Sequence, residues 1–353
     1  MPRYTAADKP DHDAARRTAV LLIQLGTPSA PEPAAVRRYL AEFLADPRVV
    51  EIPKTLWGPI LHGVILRIRP RSSAQKYAAI WTREGSPLAV NTVRQARLLR
   101  GWLGEDGHAV EVEYAMRYGE PSIPKVLRAL RDRGVGRLLL LPLYPQYAAS
   151  TTATAVDAVF RELAGWRDQP EVRTVRSFHD RPEYIDALAN QIRAGWQADG
   201  PPDRLLMSFH GLPRRSVELG DPYQHECLVT GRMLGARLGL RDADYTITFQ
   251  SRFGRAQWLT PYTAATLAEL GHQKVRRVDV VCPGFVSDCL ETLEEIAIEG
   301  KQTFIEAGGR DFRYIPCLND GPGLIRCLTA LARDNLAGWP TARPAADKAA
   351  RRA

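Results

Sequence analysis

Eight short apolar runs constrain this chain most, because several of them do not alternate. They are Thr18–Leu25, Ala109–Ala115, Arg137–Pro142, Val172–Phe178, Arg204–Phe209, Asp244–Gln250, Arg276–Cys282 and Phe312–Pro316. A strand with one wet face alternates apolar and polar residues; LLLLPL and VDVVCP do not, which is the pattern of strands covered on both faces. Between most runs lie amphipathic stretches of helical period, such as Ile123–Arg133 and Ile185–Ala198. Strand, helix, strand in alternation predicts an α/β fold whose parallel sheet carries helices on both faces. The runs divide four and four, and 353 residues suit two domains. A short echo joins the halves: LLIQL runs into Gly26-Thr27-Pro28, and LLMSF runs into His210-Gly211-Leu212-Pro213. Both loops are expected at the carboxyl ends of strands, the edge where open α/β sheets bind ligands. The expected division is an arm over 1–16, one domain over 17–168, a second over 169–335, and a flexible tail over 336–353.

Composition narrows the function classes. Lys plus Arg is 48 against 40 for Asp plus Glu, a net charge of +8, which by itself suits an anionic ligand, an acidic membrane or nucleic acid. No nucleic-acid module accompanies it, and nucleic acid is not expected as a partner. Five cysteines, with no C-x-x-C spacing, fit a reducing compartment rather than a disulfide framework. Residues 1–17 lack the apolar core of a signal peptide, and no stretch reaches about 18 apolar residues. A cytoplasmic location is expected. Neither G-x-G-x-x-G nor G-x-x-x-x-G-K-[ST] occurs, so a nucleotide site has no support.

Four segments carry candidate chemistry. In SFHGLP, His210 stands at a predicted strand end, where imidazole serves as a base near neutral pH or as a metal ligand; alternatively it bonds its own loop. After Cys282-Pro283-Gly284 a helix is expected from Ser287 and Asp288, both good N-terminal residues. Glu291, Glu295 and Glu299 follow at i, i+4, i+8, roughly on one face. That row reads either as a conductor of a hard cation or of protons, or as a solvated face. The stretch TFQSRFGRAQWLTP brings Ser251, Arg252 and Trp258 into one loop, suited to a flat ligand with carboxylates. The apolar Trp57–Ile68 segment, with Lys54, Arg67, Arg69 and Arg71 around it, suits a membrane interface or the lip of an apolar cleft.

Together with Met116-Arg117-Tyr118, the LYPQYAASTT loop and GDPYQHEC, these segments resemble the ferrochelatase family from about Val20 to Leu331. The resemblance implies two similar Rossmann-like domains with a porphyrin cleft between them. It implies insertion of Fe²⁺ into protoporphyrin IX with loss of two protons, and iron as substrate with no tightly bound organic cofactor. The family's invariant His matches His210 and its invariant Glu matches Glu291. Asp288, Glu295 and Glu299 match further carboxylates placed with the metal. Tyr77, Tyr147, Arg117, Ser251, Arg252 and Trp258 are expected at the porphyrin, and Ile65 and Leu66 in the lip. Peripheral membrane contact through that lip and a monomeric chain are also expected. The chain departs from many relatives at Cys289, where they carry a His, and at Ala78 and Ala79, where some are basic. It lacks the Cys-rich extension of cluster-bearing relatives, so no [2Fe–2S] cluster is expected. Whether His210 is base or first metal ligand stays open at this level. So do a cobalt or coproporphyrin chelatase and a non-catalytic porphyrin carrier.

Overall fold

The computed structural model describes residues 4, 16–254 and 256–342. All eight expected strands are present: β1 Arg17–Gly26, β2 Glu111–Tyr118, β3 Val135–Pro142, β4 Glu171–Thr174, β5 Arg204–His210, β6 Tyr245–Gln250, β7 Arg277–Val281 and β8 Asp311–Tyr314. They form two parallel four-stranded sheets, ordered β2-β1-β3-β4 and β6-β5-β7-β8. The two orders are the same, so the echo between LLIQLG and LLMSFHG reflects one architecture used twice. Both second strands end alike, with a proline carbonyl returned to the strand: Met116 N–H donates to Pro121 O (2.8 Å) and Phe249 N–H to Pro261 O (2.9 Å). β4 stops four residues short of the expected Phe178. Beyond it Phe178 N–H donates to Pro145 O rather than continuing the ladder.

Burial on both sides explains the missing alternation. Leu21, Ile23, Leu138 and Leu140 face one core, while Val20, Leu22, Leu139 and Leu141 face another. The second of these cores also takes Leu205 and Met207 from β5 and Val281 from β7. Helices Pro182–Trp196 and Pro322–Leu336 lie within it through Leu188, Ile192, Leu324 and Leu328. The halves therefore share an apolar core along one face of each sheet, and a third core covers the far face of the second sheet through Leu206, Val278 and Val280.

The expected arm lies outside the described residues except for Tyr4 and Arg16, and the expected tail does so from 343 onward. Residues 336–342 are packed. Trp339 is buried and donates from Nε1 to Glu171 Oε1 (2.7 Å), and Ala109 N–H donates to Thr341 O (2.6 Å).

Both third strands lead into widened helical turns with i→i+5 bonding, at Ala149–Ala153 and Leu293–Gly300. Such π-turns recur at functional sites. A third lies in the lip, where Lys54–Ile60, the π-turn Leu61–Ile65 and Leu66–Ile80 run on continuously.

Candidate active site

In this strand order the chain leaves the neighbouring first and third strands of each sheet in opposite directions, and the crevice beyond their carboxyl ends is the natural ligand site. In the second half that crevice holds His210 at the end of β5 and the acidic segment after β7. Phe285, just past β7, has its ring centroid 6.5 Å from that of His210, and Trp258 lies equally far on another side. Gly211 allows this crowding: a Cβ there would meet Gln250 O at 2.7 Å and the Trp258 ring at 3.1 Å. The His210 Nδ1 lies 2.7 Å from Gly211 O. A carbonyl oxygen only accepts, so Nδ1 carries the proton and the neutral ring keeps its lone pair on Nε2.

Gln250 links the imidazole to the acidic segment. It is the ladder neighbour of His210, and its Nε2 donates to Glu291 O (2.7 Å) and Glu295 Oε2 (3.4 Å). Its Oε1 accepts from Ser208 Oγ at 2.7 Å. Sequence reading passed over Gln250. Its signal was an amide side chain ending a predicted strand just before the Ser251–Arg252 loop.

The acidic segment departs from the expected helix. Ser287 is buried and accepts from Gln95 Nε2 (2.8 Å), and the helix begins at Leu290 with Cys289 as its cap. Asp288 is turned inward. It accepts from Asn319 Nδ2 (2.7 Å), Thr292 Oγ1 (3.1 Å), the Cys317 N–H (3.3 Å) and the Tyr314 hydroxyl. A carboxylate so surrounded anchors the loop and has little left for a metal.

The three glutamates have three different surroundings. Glu291 lies near Tyr77 and Tyr39, and the thiol of Cys289 bonds to it. Burial first, and then the Glu291 charge, pushes that thiol well above its usual range, so it stays protonated. Glu295 is fastened: Ser251 N–H donates to Oε1 (2.7 Å) and Ser251 Oγ to Oε2. Ser251 adopts φ 66° to aim that N–H, a left-handed conformation costing about 1 kcal/mol. Glu299 is half-exposed and meets Lys76 Nζ at 2.7 Å. Glu294, outside the expected row, is buried and meets the same ammonium at 2.9 Å. Burial raises the Glu294 carboxyl above the ordinary range despite that cation. Among the described residues, no three His, Cys, Asp or Glu side chains converge to hold a metal ion together, so the five expected metal residues are not one preformed site.

Of the expected porphyrin contacts, Trp258 stands beside His210, its Nε1 donating to Phe253 O (2.9 Å). Tyr77 is buried against Tyr39 and Trp81. Tyr147 lies under the Arg176 guanidinium at 4.2 Å. Arg252 is exposed, 5.2 Å from the centre of the Tyr262 ring. Arg117 is committed elsewhere: it pairs with buried Asp46, donates from Nε to Thr154 Oγ1 (2.8 Å) and stacks on Tyr118. In the lip Leu66 is core rather than surface and Ile65 is half-buried. The exposed apolar residues are Leu56, Ile60, Val64 and Ile68. The π-turn explains this, since the buried set runs Trp57, Leu61, Leu66, Pro70, with a step of five across it.

A family model described as ferrochelatase matches residues 17–336. The chain is 60% identical over 344 residues to the ferrochelatase of Chromobacterium violaceum, spanning 97% of this chain and 94% of that protein. It is 59% identical over 328 residues to the ferrochelatase of Bordetella pertussis, spanning 93% and 91%. Among solved structures, SirB from Bacillus subtilis with Fe³⁺ superposes with a TM-score of 0.55 at 12% identity, over 91% of this chain and 96% of that one. At that identity the likeness speaks for the fold alone.

Proposed function

The chain belongs to the ferrochelatase family and inserts Fe²⁺ into protoporphyrin IX to give protohaem, and from that premise we propose how its own residues divide the work. His210 takes the pyrrole protons and Glu291 partners the incoming metal. The observation that carries this reading is the Nδ1 bond to Gly211 O, which leaves Nε2 as the basic atom in the crevice. Two N–H protons leave for each Fe²⁺ that enters, so a base of near-neutral pKa is required at the ring nitrogens. Trp258, fixed by its own Nε1 bond and 6.5 Å from His210 between ring centroids, is a flat wall for the macrocycle. Binding energy gathered there and at the lip drives the ring out of plane and exposes the nitrogen lone pairs. Carboxylate oxygens with one imidazole suit Fe²⁺. Fe²⁺ is the substrate, and in this reading the imidazole and the carboxylates that handle it come from one chain.

In this reading Glu299, Glu295 and Glu291 hand the metal inward. Glu295→Gln keeps the shape and can still accept from Ser251, but it removes one charge. The expected result is an apparent KM for Zn²⁺ or Fe²⁺ raised about tenfold, with the porphyrin KM within about twofold, an effect near 1.4 kcal/mol. Initial-rate absorbance assays check it, and an unchanged metal KM counts against the row.

None of the described helices is long and apolar enough to cross a membrane. The proposed membrane contact is peripheral and uses Leu56, Ile60, Val64 and Ile68, with Lys54, Arg67 and Arg71 exposed beside them. Replacing Leu56 and Ile68 together by Ser is expected to weaken binding to anionic vesicles at least about tenfold, since each large aliphatic side chain contributes roughly 1.5 kcal/mol or more when buried. Vesicle flotation measures this, and equal binding by the variant removes the lip from the contact.

A further inference from the structure

Asn319 stands just past β8 in a left-handed conformation, with φ 51°. Asn is one of the few residues with a side chain that adopt it readily. The turn aims the polar groups of this one residue at four neighbours. Its N–H donates to Val286 O (2.8 Å), and its carbonyl accepts from Gln95 Nε2 (2.6 Å). Its Oδ1 accepts from Asn91 Nδ2 (2.9 Å) and from the Asp288 N–H (2.8 Å), while its Nδ2 donates to Asp288 Oδ2 (2.7 Å). The side-chain amide can stand only one way round, since a backbone N–H only donates and a carboxylate only accepts.

These bonds join the two halves at the root of the acidic segment. Asn91 and Gln95 belong to the helix Pro87–Glu105 of the first half. Gln95 is fully buried, and its Nε2 reaches Ser287 Oγ (2.8 Å) as well as Asn319 O. Asp288 carries the hold forward along the segment. Its Oδ1 accepts from Thr292 Oγ1 (3.1 Å), which in turn accepts from the Cys289 N–H (3.0 Å). Positions on both sides of Glu291 are thereby tied to Asn319. The Glu291 carbonyl itself is held from the second sheet by Gln250 Nε2 (2.7 Å). Both halves therefore place this glutamate, and a buried hydrogen-bond network rigidifies what it joins.

We propose that Asn319 is a positioning residue for metal insertion, setting where Glu291 stands relative to His210 by tying the first turn of the acidic segment to the helix Pro87–Glu105. The inference rests on the reading of Glu291 as partner of the metal and adds what holds it in place. Asn319 acts through Asp288 and Thr292 and takes no part in the chemistry itself. A reacting group moved by about 1 Å can lose on the order of a hundredfold in rate, so such an anchor matters without touching substrate.

The test is steady-state insertion of Zn²⁺ into protoporphyrin by the full chain, with each substrate varied in turn. Asn319→Gly keeps the left-handed turn and both backbone bonds and removes only the amide. It is expected to lower kcat about thirtyfold, with the porphyrin KM within about twofold. A joint between halves that had merely loosened would raise the porphyrin KM as the rate fell. Asn91→Ala removes one bond to the same amide from the first half, and is expected to lower kcat about threefold at the same porphyrin KM. It answers the question if the glycine variant does not fold. The decisive comparison uses Glu291→Gln, read from residual turnover over long incubations at high enzyme concentration. In that background Asn319→Gly is expected to cost less than about twofold more, because the carboxylate it would misplace is gone. The full cost retained there overturns the positioning role. So does an unchanged kcat in either single variant, or a porphyrin KM that rises in step with the loss of rate. Glu291→Gln also separates the inference from its premise. Near-normal turnover in that variant removes Glu291 from the metal, and the role of Asn319 with it. A large loss in Glu291→Gln, with Asn319→Gly at the parent rate, keeps the premise and removes Asn319 alone.

Discussion

His210→Ala is expected to lower the turnover of metal insertion by about three orders of magnitude, within the range for loss of a positioned general base, while porphyrin still binds within about twofold. The split follows from geometry. The rings beside the imidazole are those of Trp258 and Phe285, and Trp258 does not depend on the imidazole for its own fixing, since Phe253 O holds it (2.9 Å). The imidazole supplies a single basic nitrogen, because Nδ1 is committed to Gly211 O at 2.7 Å. Fluorescence quenching of protoporphyrin measures binding, and the growth of metalloporphyrin absorbance measures turnover. A variant that turns over near-normally removes His210 from the proton path. A variant that loses binding in proportion to rate makes it a wall residue instead.

Much of this was legible in the chain because it rests on features a single element carries. Unalternating runs such as LLLLP require cover on both faces, and the two cores flanking β1 and β3 supply it. A His ending such a run falls at the crevice whatever the helices do. What was illegible depended on three π-turns. Each adds a residue to a turn, which moves Leu66 inward in the lip and exposes Val64 and Ile68. The same change brings Glu294 beside Glu299, so a face drawn with α-helical spacing misses the contact both make with Lys76. Direction was the second difficulty. Asp288 looked like a ligand by its place in the motif, but four donors surround it: Thr292 from the acidic helix, Tyr314 at the end of β8, and Cys317 and Asn319 just beyond that strand. A sequence shows that a carboxylate is present. It does not show that Tyr314 and Asn319, far along the chain, have already claimed it.

Arg117 illustrates the same point with the larger consequence for stability. Expected at the porphyrin propionates, it instead forms a nearly enclosed pair with Asp46, whose side chains keep 11% and 6% of their surface. Asp46 also accepts from Tyr118 Oη (2.9 Å), from Thr154 Oγ1 and from the Arg48 N–H (2.8 Å). Burial alone would raise this carboxyl; the bonds from Thr154, Arg48 and Tyr118, with the Arg117 charge, outweigh it and hold the group below its ordinary value. Asp46→Ala strands a buried guanidinium and is expected to cost about 3–5 kcal/mol of folding stability. Arg117→Met, which fills the space without a charge, also strands a carboxylate, but one with three remaining donors, so a smaller loss is expected. The sign of the pH dependence follows. Because the folded value is depressed, the contribution is fully present above the ordinary carboxylate pKa of about 4 and is lost as pH falls through the lower folded value. Asp46→Ala should therefore lose this share of acid sensitivity as well as stability at neutral pH. Denaturant titrations at neutral and acid pH read both quantities. The porphyrin KM of Arg117→Met, measured well below its melting temperature, decides the assignment. An unchanged value keeps Arg117 as a brace between β2, the helix beginning at Thr154 and the loop that carries Asp46. A KM raised tenfold, with stability intact, returns it to the propionates.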